Sequence, residues 1–109
     1  MKTINLIGFE RGNGIHWKHK PDDYHYEPIA LVKNNGKIVW YADKQKLPAD
    51  VILRILFSAR EKEKYFMSLQ AGLVRSKKRI GNAVKGTFEY FNALHSYYWH
   101  LDAIESANH

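Results

Sequence analysis

The chain has 109 residues, 45% of them hydrophobic and 26% charged, which suits one domain with one core and excludes a disordered chain. It has no cysteine and a net charge of +6. Disulfides, thiolate zinc sites and cysteine nucleophiles are therefore excluded, and a polyanionic partner is favoured.

The charge is segregated. Residues 1–85 carry all 17 Lys and Arg against eight acids, a net of +9, whereas residues 86–109 carry Glu89, Asp102 and Glu105 and no Lys or Arg, a net of −3. No stretch approaches the roughly 18 consecutive apolar residues of a membrane span. Residues 1–9 hold one Lys and a short apolar run, without the longer apolar core and cleavage site of a signal peptide. The expected address is cytoplasmic.

In chain order, residues 3–9 (TINLIGF) are predicted to form a strand. Residues 10–28, broken by Gly12, Gly14, Pro21 and Pro28, show no persistent period and are expected to be irregular. Residues 29–33 and 37–42 flank Asn34-Asn35-Gly36, and Asn-Gly between β-branched runs signals a β-hairpin over 29–42. A two-residue Asn35-Gly36 loop would set Leu31 opposite Trp40 and Val32 opposite Val39, leaving apolar residues on both faces.

From Pro48 the pattern turns helical. Pro48 suits a helix start and Asp50 its first turn. At about 100° per residue, Val51, Ile52, Ile55, Leu56, Ala59, Phe66, Leu69, Leu73 and Val74 share one arc. An uninterrupted helix over 48–106 would be about 90 Å long, so a break is expected between Gly72 and Gly86, where Gly81 also falls, and is placed near Gly81-Asn82. The expected fold is α+β: one domain with a small antiparallel sheet (N-terminal strand plus hairpin 29–42) over residues 1–47. It packs on an antiparallel hairpin of a basic helix, 48–80, and an aromatic helix, 82–106.

Two surfaces carry the functional expectation. Arg54, Arg60, Lys64, Arg75, Lys78 and Arg79 project away from the apolar arc of the first helix, with Lys77 and Lys85 close by. Such a stripe suits phosphates, since each cation brought near one releases condensed counterion. It also matches the charged side that any water-facing helix carries. Trp17, Tyr24 and Tyr26, interleaved with Lys18 and Lys20, are candidate stacking groups for unpaired bases or, equally, anchors that tie a loop down.

The second helix has an apolar and aromatic arc about 200° wide, roughly twice what one core contact needs. Tyr90, Leu94, Tyr97, Leu101 and Ile104 are the candidate protein interface on it. The second cover is either the rest of the fold, another subunit, or a larger host protein held by a small regulator or inhibitor of the phage or mobile-element kind.

His16, His19 and His25 with Asp22 and Asp23 have ligand chemistry, but His-x-x-His in an irregular segment fixes no common face, so no metal and no cofactor is expected. No nucleophile elbow, phosphate loop or dinucleotide fingerprint is present and the acids are scattered. The expectation is a non-enzymatic module binding nucleic acid or a nucleoprotein, with no catalytic residues.

Overall fold

A computed structural model describes residues 3–109. Its strands are β1 (Leu6–Arg11), β2 (Gly14–His19), β3 (Glu27–Lys33) and β4 (Ile38–Trp40), followed by a 3₁₀ turn at Lys44–Lys46 and two helices, α1 (Ala49–Asn82) and α2 (Phe88–Asn108). The strands form one antiparallel sheet in the order β1-β2-β3-β4. Helices lie on one side of it, giving the expected α+β architecture with a helical hairpin.

The sheet is larger than the sequence reading allowed. Residues 10–28, expected to be irregular, contain all of β2, and the first strand begins at Leu6 rather than Thr3. A two-residue Gly12-Asn13 loop joins β1 to β2, with Gly12 at φ 51 and the flanking Arg11 and Gly14 paired. Glycine adopts this left-handed region without steric cost, so the element read as a breaker is the turn that makes the hairpin. Ile15, Trp17 and His19 alternate with His16 and Lys18 along β2, and this period of two is the strand signal.

The β3–β4 hairpin forms where expected but one residue out of register. Leu31 pairs with Val39, Val32 with Ile38 and Ala30 with Trp40. The loop has three residues, not two. Gly36 N–H donates to Lys33 O at 2.9 Å, Lys33 N–H donates to Lys37 O at 2.8 Å, and Gly36 sits at φ 91. This is a turn followed by a left-handed glycine, the usual three-residue solution. A Cβ at Gly36 would also press on Glu63 of α1.

A second irregularity builds the core. Trp17 pairs with Ala30 but Lys18 pairs with Pro28, so Ile29 is the extra residue of a bulge. The bulge lets the consecutive Ile29 and Ala30 both join the buried cluster with Val32, Val51, Ile55 and Ala59. Trp17, Ile38, Trp40 and Leu47 close its edges. Of the arc read on α1, Val51, Ile55, Ala59 and Leu69 are buried, whereas Leu56 and Val74 are exposed.

α1 runs unbroken for 34 residues, about 51 Å at 1.5 Å per residue. Its first half covers the sheet through Val51, Ile55 and Ala59, and its second half packs on α2. It passes through Gly81 to Asn82, and α2 starts at Phe88, later than the expected 82. Gly86, at φ 85, turns the chain, and the Thr87 hydroxyl accepts from Tyr90 N–H at 3.3 Å as the N-cap.

Small residues make the α1–α2 seam. Gly72, Ser76, Ala93 and Ala107 are buried there. The Ser76 hydroxyl donates to Gly72 O at 2.9 Å and meets the Ser96 hydroxyl at 2.9 Å, and His100 Nδ1 donates to Ser96 O at 2.7 Å. At the far end of α2, Asn35 Nδ2 donates to Asn108 Oδ1 at 3.4 Å, tying the helix to the β3–β4 turn.

The two α1 glycines predict opposite outcomes. At Gly81 a Cβ would meet nothing within 4 Å, so Gly81→Ala should stabilise the fold by up to about 1 kcal/mol in chemical denaturation. At Gly72 a Cβ would overlap the His100 ring, so Gly72→Ala should destabilise by about 1–3 kcal/mol. The same change should become neutral or stabilising in a His100→Ala background; a loss undiminished there would show that another contact sets the seam.

Candidate nucleic-acid interface

Because α1 does not break, its cations share one rigid support. Arg54, Arg60, Lys64, Arg75, Lys77, Lys78 and Arg79 are all exposed, as is Lys85 in the turn that follows. Arg54 to Arg79 spans about 38 Å along the axis. Among the described residues, the cations between Arg54 and Lys85 with a carboxylate partner are Lys62, 2.6 Å from Glu10, and Lys64, 3.7 Å from Glu61. Arg75, Lys77, Lys78 and Arg79 are exposed and have no carboxylate within 4 Å among the described residues, although Glu89 of α2 shares a surface pocket with Arg79. Leu53 and Phe57, both about two-thirds exposed, lie beside Arg54 and Arg60.

The expected stacking residues are not brought together. Trp17 points to the helix side of the sheet, against the core, with the Arg54 guanidinium 5.8 Å from its ring centroid. It lines a groove with Ile15, Phe57 and Tyr65 between β2 and α1. Tyr24 stands almost fully exposed in the turn before β3, its N–H donating to Asp22 Oδ1 at 2.8 Å. Tyr26 lies on the other side of the sheet, edge to face with Phe9 at 5.7 Å.

The sequence reading places apolar residues on both faces of the β3–β4 hairpin but misses the β1 and β2 residues that complete this open side. Phe9, His16, Leu31 and Val39 form one row across all four strands on the face turned away from α1. Lys18 Nζ sits 5.6 Å from the Phe9 ring and 5.9 Å from Tyr26, and Lys20 Nζ is 5.5 Å from Tyr26. Phe9, Lys18 and Tyr26, with Glu10, Arg11 and His16, line an open cavity of about 390 Å³. Aromatic faces beside cations suit a flat, anionic ligand such as a nucleotide. The alternation of His16 and Lys18 with Ile15 and Trp17 could have revealed it, once Gly12-Asn13 was read as a turn.

The histidines are dispersed. His16 is on the open face. His19 is buried and its Nδ1 accepts the Asn5 N–H at 3.0 Å, so that nitrogen carries no proton. His25 Nδ1 lies 2.7 Å from Asp22 Oδ1. The Tyr24 N–H, followed by His25, holds the Asp22 carboxyl below its ordinary range. No group of three metal-ligating side chains occurs among the described residues, and no described helix is long and apolar enough to cross a membrane.

On α2, the candidate interface residues Tyr90, Leu94, Tyr97 and Ile104 are half-buried, and Leu101 is exposed. The more exposed side chains are Phe88, Phe91, Tyr98 and Trp99, each above half. None of these four was singled out, since the sequence shows the breadth of the arc and not the part the fold covers. No protein-family model, curated protein or solved structure matches this chain.

Lys62 and Glu10 cross the groove mouth from α1 to β1, and the Lys62 ammonium, through its hydrogen bond and charge, holds the Glu10 carboxyl below its ordinary range. A carboxyl lowered in the folded state stabilises above its unfolded pKa, and the contribution is lost as pH falls through the folded value. Glu10→Gln should therefore cost at most about 1 kcal/mol near neutrality, the exposed carboxylate being screened by water. The difference from wild type should vanish in acid, as read by denaturation at several pH values.

Proposed function

We propose that this chain is a nucleic-acid-binding module that contacts phosphates through the exposed cations of α1. One observation carries the reading: a continuous helix holds Arg60, Arg75, Lys77, Lys78 and Arg79 outward with no carboxylate partner among the described residues. A charged face that serves only hydration ordinarily mixes signs and satisfies cations with acids three or four residues away. Here the second half of α1, from Lys64 to Asn82, contains five cations and no acid. Such a row neutralises successive phosphates without needing to read bases, so binding would rest on backbone charge.

The open face of the sheet adds a second element of compatible chemistry. Phe9 and Tyr26 offer ring faces and Arg11, Lys18 and Lys20 offer charge, a combination suited to unpaired bases and their backbone. It lies across the sheet from α1, so one strand wrapping the sheet edge, or two separate strands, would be needed to use both.

The expected behaviour is binding to DNA or RNA oligonucleotides whose logarithmic affinity falls linearly with the logarithm of salt concentration. Replacing Arg75, Lys77, Lys78 and Arg79 together by Gln should reduce that slope by about 3.6 on duplex DNA, at roughly 0.9 per phosphate contact. Circular dichroism should be unchanged, since all four side chains are exposed. Absence of binding at low salt, or affinity indifferent to salt, would remove the reading.

A further inference from the structure

The seam between α1 and α2 leaves the largest side chains of α2 without cover. Ala93, Ser96, His100 and Ala107 face α1. At about 100° per residue, Phe91, His95, Tyr98 and Asp102 point to the opposite side of the helix, with Phe88 and Trp99 beside them. Phe88 is 84% exposed, Phe91 58%, Tyr98 57% and Trp99 54%. At roughly 200 Å² per aromatic residue this is about 500 Å² of ring surface, a patch at the upper end for a protein that stays alone.

We infer that this face pairs with the same face of a second copy of the chain, with the two α2 helices antiparallel. Phe88, Phe91, His95, Tyr98, Asp102 and Glu105 recur at alternating spacings of three and four, which is the seam pattern of two helices packed side by side. Reversed on itself, the pattern matches. Phe88 meets the partner's Tyr98, Phe91 meets the partner's His95, and Asp102 falls beside the partner's Lys85. A parallel pair would instead set Asp102 against Asp102 and Glu105 against Glu105.

Area and rigidity agree. With Val84 and Leu101 at the rim, two copies would bury on the order of 1,200 Å², the lower bound of a standard specific interface. The rings are also held in place before any partner arrives. Phe91 is edge to face with Tyr90 at 5.8 Å, Tyr98 with Tyr97 at 5.3 Å, and Trp99 with His100 at 4.9 Å, the last itself fixed in the seam. Anchors that lose little freedom on docking make strong contacts. The helix itself carries no Lys or Arg but does carry Asp102 and Glu105, so a polyanion is not the occupant of this face. The pairing leaves both α1 cation rows outward, and it does not depend on the nucleic-acid reading.

Sedimentation of the full chain across the micromolar range, without nucleic acid, tests the pairing. A shift from monomer to twice the monomer mass with rising concentration is expected. Phe91→Glu and Tyr98→Glu should each weaken it at least about tenfold, with an unchanged thermal transition of the monomer because both side chains are exposed. Asp102→Lys should weaken it as well, and adding Lys85→Asp should restore it. A wild-type chain that remains monomeric, including one that instead seats a different protein on this face, overturns the proposal. So does a dimer indifferent to Phe91→Glu and Tyr98→Glu, or a charge exchange that fails to restore pairing.

Discussion

The close approach of α1 and α2 at Gly72 and Ser76 decides what the rest of the molecule exposes. Helices touch along a stripe, and the side chains in that stripe set how near the axes come. Here the stripe holds glycine, serine and alanine, with two hydroxyls and one imidazole linked by hydrogen bonds. Since a helix has only one circumference, filling the seam with small side chains sends Phe88, Phe91, Tyr98 and Trp99 to the other side. The aromatic surface of α2 is a direct consequence of how tightly its inner edge is packed.

The same economy governs α1. One inner edge serves two partners in succession, the sheet through Val51, Ile55 and Ala59 and α2 through Leu69, Gly72 and Ser76. A helix of this length cannot bend to wrap a small core, so the molecule is elongated, 65 × 25 × 15 Å. Elongation leaves the outer side of α1 in water from end to end. It keeps the cations in line, and their mutual repulsion is tolerated because water screens exposed charges. The sheet is covered on one face alone, which leaves Phe9, Tyr26 and the neighbouring lysines on the other.

Three surfaces of different chemistry therefore sit on one small scaffold: a cationic helix edge, an aromatic and basic sheet face, and an acidic and aromatic helix face. The first two suit an anionic ligand, and the third suits a protein surface of its own kind. They point in different directions, so occupancy of one does not obstruct another. On the proposed reading, self-association would double the number of cation rows presented to a long polyanion.

The sequence by itself determined the class of fold and the distribution of charge. Asn35-Gly36 marked the β3–β4 hairpin, the apolar period after Pro48 marked α1, and the absence of Lys and Arg after residue 85 marked α2 as different in kind. These are local properties, set by backbone preference and by residue type. What neighbours decide was not legible. Gly12 and Gly14 read as breaks until the strands on both sides were seen to pair. The one-residue shift of β4 depended on whether Gly36 ended a two- or three-residue loop, and the bulge at Ile29 on how β2 and β3 meet. The breadth of the α2 arc was visible, but its inward part was not, because Ala93, Ser96 and Ala107 carry too little hydropathy to announce a seam. Periodicity reports how side chains are spread around a helix. Only the packed partner decides which of them remain outside.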